Sequence, residues 1–110
     1  MASKKYIKGF LEDIVLFLIC ERGEMYGYEI TKKVQEITTG TITITEGALY
    51  PILHKLENNG QLTARFKDAN GRLRKYYTIT DQGISATNEA ATELDLFLTG
   101  LSQIFNPKSV

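Results

Sequence analysis

Apolar residues recur at helical spacing in four stretches and alternate with polar ones in two shorter runs. Residues 5–21 are expected to form the first helix: Ile7, Phe10, Leu11, Ile14, Leu18 and Cys20 lie near helical spacing, and Val15, Leu16, Phe17 and Ile19 fill the other sides. A helix that is apolar all round over 14–19 must be buried on more than one side. One side can pack on its own domain, and the other needs the C-terminal helix or another subunit. Glu21-Arg22-Gly23-Glu24 reads as a turn. Residues 26–38 read as a second helix, with Ile30, Val34 and Ile37 on one face and Glu29, Lys32, Lys33 and Glu36 on the other. Gly40 stops it. Thr41-Ile42-Thr43-Ile44 is alternating and β-branched, which fits a short strand or an extended linker.

Thr45–Gly60 reads as a third helix with a clear start and stop. Thr45 can cap it, Glu46 suits the positive end of its dipole, and Asn58-Asn59-Gly60 ends it. Leu49, Ile52, Leu53 and Leu56 share one face. The opposite face carries Gly47, Pro51, His54, Lys55 and Asn58, with Tyr50 on its flank, and no carboxylate, although Glu46 and Glu57 lie to one side. Pro51 cannot donate its backbone bond, so a bend or an irregular start aimed outward is expected there. Leu62–Lys67 and Leu73–Ile79 then alternate around Asp68-Ala69-Asn70-Gly71, and Asn-Gly is a strong hairpin signal. Tyr77 shares a face with Ile79 and is the expected core tyrosine. Residues 81–105 form the last helix, capped by Thr80 or Asp81. Its seam of Ile84, Thr87, Ala91, Leu94, Leu98, Leu101 and Phe105 is heptad-like, and Ala90, Phe97 and Ile104 widen it. Such a seam predicts a partner helix, most simply from a second copy of the chain; packing back on the first helix alone is the alternative.

Charge refines this picture. Thirteen basic and thirteen acidic residues cancel, which weighs mildly against nucleic-acid binding. The distribution does not cancel. Residues 61–80 hold Arg65, Lys67, Arg72, Arg74 and Lys75 against Asp68 alone, and residues 81–110 are acidic. Lys4, Lys5 and Lys8 make a basic start, either solvated or touching a phosphate backbone. The single Cys20 forms no internal disulfide and is expected to be a small buried hydrophobe in a reducing compartment. No membrane anchor or signal peptide is apparent, so a soluble cytoplasmic protein is expected. One histidine, one cysteine and no glycine-rich phosphate loop leave no catalytic residues, metal site or cofactor to expect. His54 has no companion at metal-ligand spacing.

Three helices followed by a hairpin is the order of a winged helix-turn-helix, in which the third helix enters the major groove and the wing lies along the backbone or reaches into the minor groove. The fold class expected is therefore α+β, mainly α: residues 1–80 as the winged DNA-binding domain and 81–110 as a C-terminal dimerisation helix. The third helix has a groove-compatible face, and the wing has cations that can displace counterions from phosphate.

The segments MYGYEI at 25–30, EGALYPILHKLENNG at 46–60 and RLRKYYTITDQG at 72–83 occur in an order and spacing that resembles the PadR family of bacterial transcriptional regulators. The short C-terminal helix is similar to that of the family's small members. The resemblance implies a homodimeric winged-helix repressor, with the first and last helices forming the dimer and an effector able to modulate operator binding. Two positions depart from the family pattern: Glu46 stands where proline is frequent, and Ala48 where threonine is common. Some multidrug-sensing relatives stack ligands on a tryptophan of the last helix; here Phe97 or Phe105 could stack a small hydrophobic or aromatic effector, or simply pack in a core.

The residues expected to meet double-stranded DNA are Thr45, Gly47, Ala48, Tyr50, His54 and Lys55 on the third helix, Lys67, Arg72, Arg74 and Lys75 on the wing, and Tyr26 at the second helix. Tyr50 can donate to a phosphate or base edge or pack under the wing; Tyr28 could also bond a phosphate. Phe10, Ile14, Phe17, Ala91, Leu94, Leu98, Leu101 and Phe105 are expected to dimerise the chain, and two-fold symmetry predicts a pseudo-palindromic operator. The rival from another class is a winged-helix protein-interaction module without DNA binding, favoured by the neutral net charge and by Glu46; an enzyme stands well behind both.

Overall fold

The computed structural model describes residues 4–106, with side chains from Tyr6 to Asn106; the side chains of Lys4 and Lys5, and Pro107 and Lys108, lie outside the described residues. Helix α1 (Lys4–Ile7) passes through a 3-10 turn at Lys8–Phe10 into α2 (Leu11–Arg22), so the one helix expected over 5–21 is interrupted. Gly9 lies in the interruption, and glycine weakens a helix by about 1 kcal/mol relative to alanine. Gly23 ends α2 in a left-handed conformation (φ 91°), its N–H donating to the Ile19 carbonyl at 2.7 Å.

The chain then does something its pattern hides. Glu24–Tyr26 is a strand, β1, where a turn and the first residue of the second helix were expected. Three residues are too few to show alternation, and β1 exists by pairing with a distant strand. It leads into α3 (Gly27–Ile37), a linker and α4 (Glu46–Asn58). The linker at 41–44 forms no strand: the chain bends at Thr41 and Ile42, its fold-back fixed by the Thr38 hydroxyl, which accepts from Ile42 N–H at 3.0 Å, and Ile44 plugs into the core. Strands β2 (Leu62–Ala69) and β3 (Arg72–Ile79) form the hairpin, turning at Asn70 and Gly71 with φ of 53° and 79°. The sheet is antiparallel in the order β1-β3-β2, with Met25 opposite Tyr77 and Tyr77 opposite Ala64.

One core joins these elements. Val15 and Ile19 of α2, Ile30 of α3, Leu49, Leu53 and Leu56 of α4, Leu62 of β2 and Tyr77 of β3 are all fully buried. Tyr77 is thus the core tyrosine, as its shared face with Ile79 predicts. Cys20 corrects an expectation: it is exposed. At about 100° per residue it stands a quarter-turn from buried Ile19, on the stripe of Asp13 and Phe17 that leaves the core. No buried side-chain polar atom among the described residues lacks a partner.

The last helix, α5 (Asp81–Phe105), spans the residues predicted for it. Its start is clamped to the wing root. The Thr80 hydroxyl accepts from Gly83 N–H at 3.1 Å and donates to the Gly60 carbonyl at 2.6 Å, while the Gln82 amide donates to the Asn59 carbonyl at 2.9 Å. Gly83 is buried so tightly that a Cβ there would stand 2.2 Å from the Gln61 carbonyl oxygen. Farther along, α5 packs beside α2, with Phe97 against Phe10 at 6.2 Å between ring centroids. The expected seam is covered only in part: Thr87 is buried and Leu94 and Leu101 are half-buried, but Ile84 and Ala91 are exposed, Phe97 and Leu98 are 52% exposed, Ile104 70% and Phe105 78%. None of the described helices is long and apolar enough to cross a membrane.

Candidate nucleic-acid interface

Helix α4 supplies the first half of the site. Thr45 caps it, its hydroxyl accepting from Ala48 N–H at 3.2 Å. Leu49, Leu53 and Leu56 turn inward, and that fixes the outward face: Gly47, Ala48, Tyr50, Pro51, His54, Lys55 and Asn58 are all exposed. The helix runs unbroken through Pro51, without the irregular start expected; the proline is on the solvent side, where water can serve the carbonyl it leaves unbonded. A Cβ at Gly47 would meet nothing within 4 Å, so this glycine answers no packing need within the chain. Tyr50 neither projects freely nor lies under the wing. Its hydroxyl end rests against the start of α3, 2.8 Å from where a Cβ on Gly27 would be.

The wing supplies the second half, and strand register sorts its side chains. Residues directly opposite in the ladder share a face. One face therefore carries Arg65, Lys67, Arg72, Arg74 and Tyr76, together with Glu24 and Tyr26 from β1; the other carries Phe66, Leu73, Lys75 and Tyr77. On the first face the Tyr26 and Tyr76 rings meet edge-on at 5.3 Å. The Arg74 guanidinium stands 4.4 Å from the centre of the Tyr26 ring and the Lys67 ammonium 4.4 Å from that of Tyr76. Tyr50, Gly27, Tyr26 and Arg74 thus form one connected strip from α4 to the wing. Arg72 is exposed at the hairpin turn, with no ion-pair or ring partner among the described residues.

Most of the other cations already have carboxylates. Lys55 binds Glu12 of α2 at 2.8 Å, away from the strip. Lys75 binds Glu57 at 3.1 Å from the opposite face of the wing, bracing it against the end of α4; that hydrogen bond raises the lysine's pKa above its ordinary value. Glu24 receives both Arg65 at 3.0 Å and Lys67. Hydrogen bonds from Lys67 first and Arg65 second hold the Glu24 carboxyl below the usual carboxylate range. A polar groove of about 400 Å³ beside β1 and α3 sets Arg22, Lys32 and Lys33 against Glu24, Glu29 and Glu36, and so offers an anion no net charge.

Glu24, Arg65, Tyr76 and Gly27 were absent from the residues expected at the site. Arg65 and Lys67 share a parity that the alternation of 62–67 does reveal. The place of Glu24 depends on β1, which the sequence conceals. The residues expected to dimerise meet elsewhere. Phe10, Ile14, Phe17, Leu94 and Leu98 line one apolar groove of about 330 Å³ between the N-terminal segment, α2 and α5, with Asp13 at its edge; Ala91 and Phe105 are exposed along the same helix. Burial and the nearby Glu12 and Glu93 carboxylates push the Asp13 carboxyl above its usual range. No group of three or more His, Cys, Asp or Glu side chains that could hold a metal occurs among the described residues.

This geometry has close counterparts. The chain is 35% identical to an uncharacterized protein X of Lysinibacillus sphaericus, over 92% of this chain and 99% of that one. A transcriptional regulator of Clostridium thermocellum superimposes with a TM-score of 0.83 at 31% identity, covering 94% of this chain and 97% of its own. Bacillus subtilis PadR, solved in complex with operator DNA, superimposes with a TM-score of 0.65 at 30% identity over 72% of this chain and 45% of its own. Residues 15–89, which run from the middle of α2 through the wing into α5, match the transcriptional regulator PadR-like family. With its winged helix and with most of its length inside that match, the chain is a member of the PadR-like family of transcriptional regulators, which are DNA-binding proteins and not enzymes.

Proposed function

We propose that the chain is a homodimeric repressor that binds a pseudo-palindromic DNA operator in the cytoplasm. The observation that carries this is the division of exposed surface. A carboxylate-poor face of α4 and an aromatic, cationic face of the wing are joined by the Tyr50–Tyr26–Arg74 strip, while the apolar seam of α5 is left open elsewhere. Residues 1–80 act as the DNA-binding domain. The first turn of α4, with Thr45, Gly47 and Ala48, approaches the duplex, and His54 and Tyr50 follow along the groove. Arg72 and Arg74 grip the backbone with Tyr26. Lys55, Lys67 and Lys75 reach phosphate only by leaving Glu12, Glu24 and Glu57.

Residues 81–110 hold the dimer. The half-open seam and the groove lined by Phe10, Ile14 and Phe17 bury against the same surfaces of a second copy. The solved operator complex of Bacillus subtilis PadR supports the duplex as the partner. A small hydrophobic or aromatic effector fits the same seam, where Phe97 and Phe105 remain exposed; by changing how two α5 helices pack, it would change the separation of two α4 helices.

Selection of bound sequences from a random duplex pool with purified protein tests the reading. A recovered palindrome, with half-sites about one helical turn apart or a multiple of that, is expected. A pool that enriches nothing would favour the protein-interaction module instead.

A further inference from the structure

We propose that Glu24 is a specificity-determining residue: in the DNA-free protein its carboxylate takes the place of a phosphate on the wing, and so suppresses sequence-independent DNA binding. The proposal rests on the DNA-binding reading above.

Glu24 is set in position by backbone. Its strand is laddered to β3, with Glu24 opposite Thr78, and from there its two oxygens receive Arg65 and Lys67 from across the sheet. The Lys67 chain crosses the Tyr76 ring to get there. Both cations lie on the face that also carries Arg74 and Arg72. A carboxylate and a phosphate oxygen accept from the same donors with similar geometry. A duplex using Arg65 and Lys67 must therefore evict Glu24.

The β1–β3 ladder is made by the backbone, and a half-exposed surface ion pair adds little to stability. Its effect falls on binding. A cation already matched to an internal carboxylate brings no gain from neutralising a phosphate, since one partner is exchanged for another. Duplexes that engage only the backbone are weakened by the exchange. An operator held in register by the α4 face can leave the pair closed and bind through Arg72 and Arg74, so the exchange is not imposed on it. The pair thus lowers random-duplex affinity more than operator affinity.

Fluorescence anisotropy on wild type and Glu24→Gln, with random duplex and with the selected operator over a salt series, tests this. Glu24→Gln is expected to steepen the salt dependence of random-duplex binding by about 1–2 in log–log slope; across a fourfold salt range that equals about 4- to 16-fold in affinity. Random-duplex affinity at low salt should rise by a similar factor and operator affinity by less, so that the specificity ratio falls. In an Arg65→Gln/Lys67→Gln background the Glu24→Gln step should do nothing. An unchanged random-duplex affinity and slope would overturn the proposal. So would an equal rise in the Arg65→Gln/Lys67→Gln background, because the effect would then be one of net charge. Wild-type protein that binds no duplex at all would remove the DNA reading and this proposal together, whereas operator binding with an inert Glu24→Gln removes the proposal alone.

Discussion

Gly47→Ala should make the protein more stable and a worse DNA binder. Gly47 is the second residue of α4, one after Glu46 and two after the Thr45 cap. Its φ is not left-handed, and an added Cβ would meet nothing within 4 Å. Alanine is therefore compatible with the conformation and lowers the entropy of the unfolded chain. The gain is about 0.4–1 kcal/mol, or roughly 2–6 °C in melting temperature for a domain of this size. The missing Cβ has a use only if something outside the chain comes close. The N–H groups of Glu46 and Gly47 donate to no partner among the described residues, and a helix start is where a phosphate can approach backbone donors. A methyl group at the point of approach lengthens those contacts. Losing one hydrogen bond to a charged group costs about 1.5–3 kcal/mol, or roughly 10- to 150-fold in affinity. Melts followed by far-ultraviolet circular dichroism and anisotropy on the selected operator give both numbers from one preparation. Raised stability with unchanged operator affinity would refute the approach at the start of α4; lowered stability would refute the claim that the position is open.

Replacing Arg72 and Arg74 together by alanine should weaken duplex binding at least tenfold and flatten the log–log salt dependence by about 2 per subunit, about 1 from each arginine; an unchanged salt slope would move the backbone contacts off the wing. Leu94→Asp with Leu98→Asp should convert the protein to monomer in sedimentation equilibrium, since both line the apolar groove and Leu98 is half exposed on the open seam; a persisting dimer would place the interface elsewhere. Gly83→Ala should destabilise by about 1–3 kcal/mol despite better helix propensity, because its Cβ would meet backbone at Gln61 and the Ile79 side chain and cannot be accommodated without moving α5. Urea denaturation checks it, and an unchanged midpoint would mean that the junction is looser than its geometry.

Long periodic segments were legible because each carries its own signal. The heptad spacing of 81–105 gives α5 to its last residue, and the alternation around Asn70-Gly71 gives the wing and its inner tyrosine. What failed was non-local. β1 is three residues that are a strand only because β3 lies beside them, so Glu24 was read as part of a turn and its two cations as free. Cys20 failed for a related reason. An all-apolar helix does not say which side faces the core until its neighbours are known, and its last apolar residue falls on the open side. The sequence offers Tyr50 two roles, and the close approach at Gly27 gives it a third, since a glycine that admits a ring leaves no periodic trace. Parity along β2 and β3 was available throughout, and it separates Lys75 from Arg72 and Arg74 without any structure.

Zero net charge looked like an argument against DNA binding, and the ion pairs turn it into an argument about how binding is distributed. If Lys55, Lys67, Arg65 and Lys75 were free, the surface would hold any duplex by charge alone. Each instead faces Glu12, Glu24 or Glu57, which leaves Arg72 unmatched and Arg74 held only by a ring. Two such arginines per subunit are a weak grip. In the proposed dimer a second subunit doubles them and, more importantly, makes engagement of the second half-site intramolecular, at an effective concentration set by how the two subunits are joined. A sequence with only one half-site gains the charge but not the second engagement. Selectivity in this arrangement therefore depends on the dimer as much as on the face of α4. A monomeric Leu94→Asp/Leu98→Asp variant should lose far more affinity for the whole operator than for a single half-site or a random duplex.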